Sequence, residues 1–438
     1  MKYPIIHTAY WFYPIGAINS SETIKAMCEE DPILTLKYLF YLRDVRGGRG
    51  ERDNFRINFE TYINEYPEIA KRNLHLIPKY GRWDDLIYCC YKTVLEKEMF
   101  ELISKQLKED VNSDTPSLLA KWIPTENCSS LWRAEIAKDI RRYLKLSPKQ
   151  YRQMISVLRT KLDILEKKMS NNKWEEIDIN KIPEKAKKMY KKALKRKKIV
   201  DSNKKIIDIN NLYPYEYLSN IDVLNRQEIE DKWKEKEKKT DKKVLCILDT
   251  SKSMDEKVFS NIRIIDIATT ITMYHAEYNE GTFKNKYINF SERPKLVDIE
   301  GIDFIDKIQR ISSNDLNENL NLHDAFKLIK DVNDKENIPD QILIISDNDI
   351  YTNTYCRSNE SLNIIETIKL EWEAEGLIFP EIIYWEANNN IQSIEIKNDY
   401  ISYIKGVSPI IFNGLLEGLN SEEIMLKKLE SERYKEVK

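Results

Sequence analysis

No glycine occurs in the 199 residues between Gly81 and Gly281, and the 438-residue chain has only 11 in all. Glycine supplies the left-handed and close-approach backbone that tight turns need, so such a gap excludes a sheet-rich or loop-rich first part and points to helices. Long apolar runs are also missing. Stretches such as VLCIL and QILIIS fall far short of the roughly 20 residues that cross a bilayer, and MKYPIIHTAYWF lacks the layout of a secretory signal. A soluble, cytoplasmic protein without a membrane span is expected. The six cysteines include no C-x-x-C pair, Cys89 and Cys90 being adjacent. That removes the spacing signal for zinc or a disulfide framework and leaves buried reduced thiols. The four histidines are dispersed; with no nucleophile and base in a pair, catalysis has nothing to build on, and no enzymatic activity is expected.

What the chain has in quantity is charge, 32% of residues and mixed in sign, beside 42% apolar residues. That is enough apolar content to fill sizeable cores, and the length favours two domains. The net charge of −2 conceals a division. Residues 1–240 hold 47 Lys+Arg against 36 Asp+Glu, an excess of 11, and the remainder holds 23 against 36. The basic part is the candidate partner for a polyanion.

Helical spacing runs through the first part: Ile33, Leu36, Leu39, Phe40 and Leu42; Phe55, Phe59, Tyr62 and Ile63; Ile136, Ile140, Tyr143 and Leu144; Met154, Val157, Leu158, Leu162 and Leu165. Stacked helix pairs would bury these stripes, as in an α-solenoid of HEAT-like repeats. QEIEDKWKEKEKKTDKK, residues 227–243, is almost devoid of apolar residues and reads as a solvated helix or linker, placing the boundary near Thr240 between domains 1–240 and 241–438. Beyond it, VLCILD, KYINFS, QILIISD and PEIIYWEA alternate with helical stretches at 262–278, 322–332 and 362–375. That alternation predicts a doubly wound, Rossmann-like α/β domain with strands buried on both faces.

In such a fold ligands sit outside the carboxyl ends of the strands. Asp249, Ser251 and Ser253 end the first strand, Ser346, Asp347, Asn348 and Asp349 end another, and the loop SSNDLNENLNLHD lies between them. Carboxylates and hydroxyls without His or Cys suit a hard cation such as Mg²⁺. The competing reading is a strand-end turn whose Ser and Asp cap the following helix. A phosphoryl-accepting Asp249 is weaker still, since Ser251 stands where a second Asp is needed.

Two basic features precede this domain. YLRDVRGGRGERDNF, residues 41–55, sets Arg43, Arg46, Arg49 and Arg52 around three glycines, a candidate anion cradle. Asp44, Glu51, Asp53, Asp84 and Asp85 could instead take these arginines as ion pairs. IPEKAKKMYKKALKRKK, residues 182–198, puts Ile182, Ala186, Met189, Ala193 and Leu194 on one helical face and Lys185, Lys187, Lys188, Lys191, Lys192, Lys195 and Arg196 outward. Twelve basic residues against two acidic from Lys181 to Lys205 favour nucleic acid, read through counterion release, over a membrane surface or an acidic protein. Trp122 in SLLAKWIPTE reads as core rather than as a stacking platform.

D-x-S-x-S after a buried strand, with a later strand ending in Asp, resembles the metal-ion-dependent adhesion site (MIDAS) of von Willebrand factor A domains. The resemblance implies Mg²⁺ or another divalent cation held by Asp249, Ser251, Ser253 and Asp347, with an open position for an acidic group of a protein partner. The family's middle threonine falls at Leu320, between Asn319 and Asn321, and Lys252 stands where glycine is usual. Taken in order, FYLRDVRGGRGERDNF, GRWDDL, SLLAKWIP, YRQMISVLRTKLDILEKKMSNNKWEEID, KIPEKAKKMYKKA, the D-x-S-x-S site and IISDNDIY resemble domain-of-unknown-function family 2828, which is similar to the Ro autoantigen, or TROVE, proteins. That resemblance spans nearly the whole chain. It implies a ring of helical hairpins joined to a von Willebrand factor A domain, and a ribonucleoprotein that binds small structured or misfolded RNA on its basic helices. A metal-dependent protein-interaction adaptor is the alternative.

Overall fold

The computed structural model describes residues 1–11, 21–162, 165–177, 189–190, 192–194, 209–221, 224–259, 262–301, 303–312, 321–332, 338–347, 360–388 and 401–438. The chain forms two compact units, Met1–Lys205 with Leu429–Lys438, and Ile206–Lys428. The division therefore falls at Lys205 rather than near Thr240. The charged stretch at residues 227–243 is not a free linker: helix Arg226–Lys234 buries Ile229 and Trp233. The Trp233 ring lies 4.8 Å from that of Phe304, its indole N–H donates to Glu277 at 2.7 Å, and the amide of Lys239 donates to the Tyr274 hydroxyl at 2.6 Å. Redrawn on these units, the charge division sharpens to 44 Lys+Arg against 31 Asp+Glu in the first and 26 against 41 in the second.

In the first unit, helices pack on their neighbours in the manner of a helical repeat: Pro32–Arg43 against Arg52–Glu65, the latter against Trp83–Cys90, and Trp83–Cys90 against Glu96–Val111, which also meets Pro148–Lys161. Asp31 and Ser147 cap two of these helices, each followed by proline in the first turn. An aromatic cluster of Phe40, Phe55, Phe59, Tyr62 and Tyr80, all buried, fills the space between them. Helix Pro148–Lys161 is turned from the predicted orientation. It buries Tyr151, Ile155 and Leu158, leaving Val157 55% exposed, because the larger Tyr-Ile-Leu stripe covers more apolar surface and Tyr151 anchors to the Pro124 carbonyl at 2.8 Å.

Residues 429–438 complete this unit. Tyr434 is fully buried against Tyr80 and Tyr41, the Tyr80 hydroxyl donates to the Arg433 carbonyl at 2.6 Å, and the amide of Lys438 donates to the Asn73 side chain at 3.0 Å.

The second unit is built on a six-stranded sheet ordered β5-β4-β1-β6-β7-β8, with β1 Val244–Asp249, β4 Lys286–Phe290, β5 Lys295–Asp298, β6 Gln341–Ser346, β7 Glu381–Glu386 and β8 Ile401–Lys405. The order skips β2 Lys257–Phe259 and β3 Ile262–Arg263, which pair separately. Only β5 runs antiparallel in the large sheet. β1 and β6 are buried at every position, as their unbroken apolar runs require when helices cover both faces. Helix Ile264–Tyr278 is buried from Ile264 to Ala276. From β1 the chain moves outward through β4 and β5, then returns to lay β6 on the other side of β1. That reversal of direction opens a crevice at the carboxyl ends of β1 and β6. Among the described residues no helix is long and apolar enough to cross a membrane.

Candidate metal centre and nucleic-acid interface

Neighbouring parallel strands β1 and β6 end side by side at this crevice, and their last residues make one hydrogen-bonded set. Ser346 Oγ donates to Asp249 Oδ2 at 2.7 Å, and the Ser251 amide donates to Asp249 Oδ1 at 2.8 Å. The Ser251 and Ser253 hydroxyls lie 2.9 Å apart, and Ser253 Oγ donates to Asp347 Oδ1 at 2.9 Å. Thus all four residues of the D-x-S-x-S and strand-end reading meet. Asp249, Ser251 and Asp347 are buried, while Ser253 and Lys252 face solvent. Asn388 donates from its side chain to the Asp347 carbonyl, fixing the end of β6.

The electrostatics of this set fit a cation. Burial pushes the Asp249 carboxyl above its ordinary range, against hydrogen bonds from Ser346 and Ser251 that pull it down. Burial also raises Asp347, and the Asp249 charge adds to the effect despite the Ser253 hydroxyl. Two desolvated carboxylates are thus brought together with hydroxyls at hand, the donor chemistry of a hard divalent ion. The third loop contributes differently from the expectation. Leu320 and Asn319 lie outside the described residues, and Asn321 caps helix Leu322–Lys330: its Oδ1 accepts from the Asp324 amide at 3.1 Å and its amide donates to Asp324 Oδ2 at 2.7 Å. Its backbone N–H is tied to the Ser291 carbonyl just beyond β4. Asn321 is therefore engaged in capping and does not replace the missing threonine. No group of three His, Cys, Asp or Glu side chains suited to a metal occurs among the described residues, so hydroxyls would have to complete a coordination shell here.

The arginine turn is not an open cradle. Its amide donors are already engaged: Arg46 to Asp44 Oδ1 at 2.9 Å, Gly48 to the Asp44 carbonyl, Arg49 to the Tyr41 carbonyl and Glu51 to the Leu42 carbonyl. A Cβ on Gly48 would lie 1.9 Å from the Tyr41 carbonyl oxygen, and Gly50 has φ +71°, so both positions require glycine. The anion held is the protein's own. Fully buried Asp44 accepts from Arg433 at 2.6 Å and from the Tyr434 hydroxyl at 3.0 Å. Burial alone would raise its carboxyl; the Arg433 hydrogen bonds and charge and the Arg46 and Gly47 amides outweigh that and leave it lowered.

Arg43, placed in the nucleic-acid set by the sequence, points inward. It is 2% exposed and paired with Asp85 at 2.7 Å, which Arg56 also grips at 2.6 Å and the Arg82 amide at 2.9 Å. Arg49 pairs with Glu51 at 2.5 Å and Arg52 with Asp53 at 3.0 Å. Arg46 has an exposed side chain. Of the basic helix, Lys185, Lys187, Lys188, Lys191, Lys195 and Arg196 lie outside the described residues; Lys192 is exposed and Leu194 buried, whereas Met189, assigned to the apolar face, is 66% exposed. Trp122 is half-buried, with the Arg82 guanidinium 4.4 Å from its ring centroid.

Residues 243–438 match the family model described as Domain of unknown function (DUF7788). That match begins at β1, covers the whole α/β sheet, and carries a different number from the family 2828 of the sequence resemblance. Over 443 aligned residues the chain is 26% identical to "Uncharacterized protein L728" of Acanthamoeba polyphaga mimivirus, spanning 84% of this chain and 74% of that one. Among solved structures, the crystal structure of Deinococcus radiodurans RO (RSR) protein aligns with a TM-score of 0.46 at 11% identity, covering 93% of this chain and 96% of that one. A likeness at that score carries no argument about site residues or ligands.

A basic surface that the sequence reading passed over lies at residues 141–162, which hold seven Lys or Arg and no acidic residue. Three of the seven sit in ion pairs: Arg141 with Glu126, Arg142 with Asp139, and Lys161 with Asp114 at 4.0 Å. Lys145, Lys149, Arg152 and Arg159 make no ion pair among the described residues, and all four are exposed. The signal was available, but it was spread over two helices and was outweighed by the denser lysine run that follows.

Proposed function

We propose that the protein is a non-catalytic RNA-binding scaffold in which the helical unit supplies the binding surface. The observation carrying this reading is the segregation of charge, 44 basic against 31 acidic residues in the helical unit, with unpaired cations gathered on one exposed stretch. A polyanion gains from such a surface by counterion release, with little dependence on sequence. The resemblance to Ro and TROVE proteins points the same way and nominates small structured RNA. The test is a gel-shift titration of structured RNA across 50–300 mM salt with the intact chain and with Lys187, Lys188, Lys191 and Lys192 all changed to Glu. Binding that weakens with salt and is lost in the variant supports the reading; no shift at low salt ends it.

The strand-end set favours a second reading, a protein-interaction adaptor. Asp249, Ser251, Ser253 and Asp347 would hold a divalent cation, and the cation would supply an open position for a partner's carboxylate. Partner capture that is abolished by chelation and by Asp249→Ala, and is indifferent to ribonuclease, would favour the adaptor over the scaffold.

A further inference from the structure

We infer that the groove between the loop at residues 123–128 and helix Pro148–Lys161 is a phosphodiester-binding site for an RNA strand, an inference that rests on the RNA-binding reading above. The groove, of about 460 Å³, is lined by Thr125, Asn127, Arg152, Ile155, Ser156, Arg159 and Thr160. Arg152, Ser156, Arg159 and Thr160 are spaced to share one helical face, opposite the loop that brings Thr125 and Asn127. No carboxylate lines it. The nearest in sequence, Glu126, is neutralised by Arg141 at 2.7 Å.

The cation in the groove is held in place rather than left loose. Arg159 donates from Nε to the Ala120 carbonyl at 2.9 Å and from one terminal nitrogen to the Ile123 carbonyl at 3.0 Å. Two of its five N–H donors thus fix the guanidinium, and the rest are available to an acceptor in the groove. Carbonyls orient the charge without cancelling it, as a carboxylate would. Arg152, whose Nε reaches the Pro148 carbonyl at 3.3 Å, stands two helical turns away on the same face. Two planar forks on one helical face, with Ser156 between them in sequence and Thr125 among the lining residues of the groove, supply the kinds of donor that suit phosphate oxygens. Beyond the groove, Lys149 and Lys145 extend the positive field along the chain. A lone phosphate would not engage them, whereas successive phosphates of a strand would.

The experiment is fluorescence anisotropy of a labelled 20-nucleotide single-stranded RNA and a labelled RNA hairpin with the full chain, from 50 to 300 mM KCl. Arg152→Gln and Arg159→Gln are each expected to weaken binding about 3- to 10-fold and to lower the salt slope by about 0.7 to 0.9. Ser156→Glu is expected to do the same by placing a negative charge at the centre. Arg152 and Ser156 are exposed, so these variants read binding even if Arg159→Gln misfolds. Inorganic phosphate at 10 mM is expected to displace little RNA; complete displacement would overturn the strand site in favour of a small-anion site. Arg152→Gln and Ser156→Glu binding as tightly as the intact chain, while the four-lysine variant loses RNA, would overturn the groove and leave the RNA-binding reading standing. An intact chain that binds neither RNA at 50 mM KCl would end both.

Discussion

On the reading that Asp249 and Asp347 hold a divalent cation, the stability of the α/β unit is expected to respond to that cation. Both carboxyls are raised in the folded state, mainly by burial. A raised acid stabilises the fold below its ordinary range and loses that contribution as pH rises through the folded value, so without metal these two groups weaken the unit at neutral pH. A bound cation removes that penalty and adds its own binding energy. At a free concentration 100 times the dissociation constant, linkage gives about 2.7 kcal/mol. For a unit running from Ile206 to Lys428, each kcal/mol shifts the melting temperature by about 2–4 °C, so a rise of about 5–10 °C is expected. The assay is thermal unfolding with Mg²⁺ or Mn²⁺ at pH 7.5, beside hydrogen-exchange mass spectrometry of peptides covering β1 and β6. Exchange from globally opening amides there should slow about 100-fold, since 1.4 kcal/mol is a factor of ten. Asp249→Asn should abolish both responses, and without metal it should be no less stable than the parent at pH 7.5. A melting temperature unmoved by 10 mM Mg²⁺ or Mn²⁺, or moved equally in Asp249→Asn, would refute the reasoning.

Three further outcomes are expected. Replacing Asp85 by Ala strands the buried Arg43 charge, while Arg56 keeps Asp84 at 2.9 Å, and should cost about 3–5 kcal/mol in urea unfolding; a loss under 1 kcal/mol would return Arg43 to the candidate surface. His275 is fully buried with Nε2 2.9 Å from the Leu415 carbonyl, and burial pulls it down to about 4. Its contribution is intact above pH 6.5 and is lost as pH falls towards 4, by up to about 3 kcal/mol; His275→Asn should flatten that fall relative to the parent. Removing Arg433 with Ala leaves Asp44 buried without its cation and should destabilise the helical unit by about 3–5 kcal/mol. Because Asp44 is lowered in the fold, the parent's stabilisation is present above the ordinary carboxylate range and lost as pH drops through the folded value. An acid titration followed by circular dichroism should show this step in the parent and its absence in Arg433→Ala.

The strand-end set was legible because everything it needs is local: a buried β1, a carboxylate at its last residue, and hydroxyls at alternate positions. The helical character of the first unit followed from the missing glycines, whereas the order that sets β1 beside β6 comes from the structure. What the sequence hid depends on distance. Arg43 and Asp85 are 42 residues apart, so whether that arginine faces solvent or carboxylate is decided by how helix Pro32–Arg43 packs near Trp83–Cys90. The stretch around Trp233 looked solvated because charge dominates it, yet Ile229 and Trp233, four residues apart on one face, are enough to seat it. β5, with only Leu296 and Val297 between charged ends, carries too little pattern to be read as a strand.

The return of residues 429–438 to the helical unit sets the order in which the protein can mature during synthesis. The turn around Asp44 is made early, but its counterion arrives with Arg433, 389 residues later. At about 5–20 residues per second, the nascent helical unit waits tens of seconds with an unneutralised carboxylate and an open slot where Tyr434 will sit. The α/β unit, whose residues all emerge within that interval, can fold before its predecessor is finished. A chain released before Leu429 would therefore carry almost all of the second unit beside an incomplete first, and that exposed slot is where a chaperone or protease would find the unfinished chain.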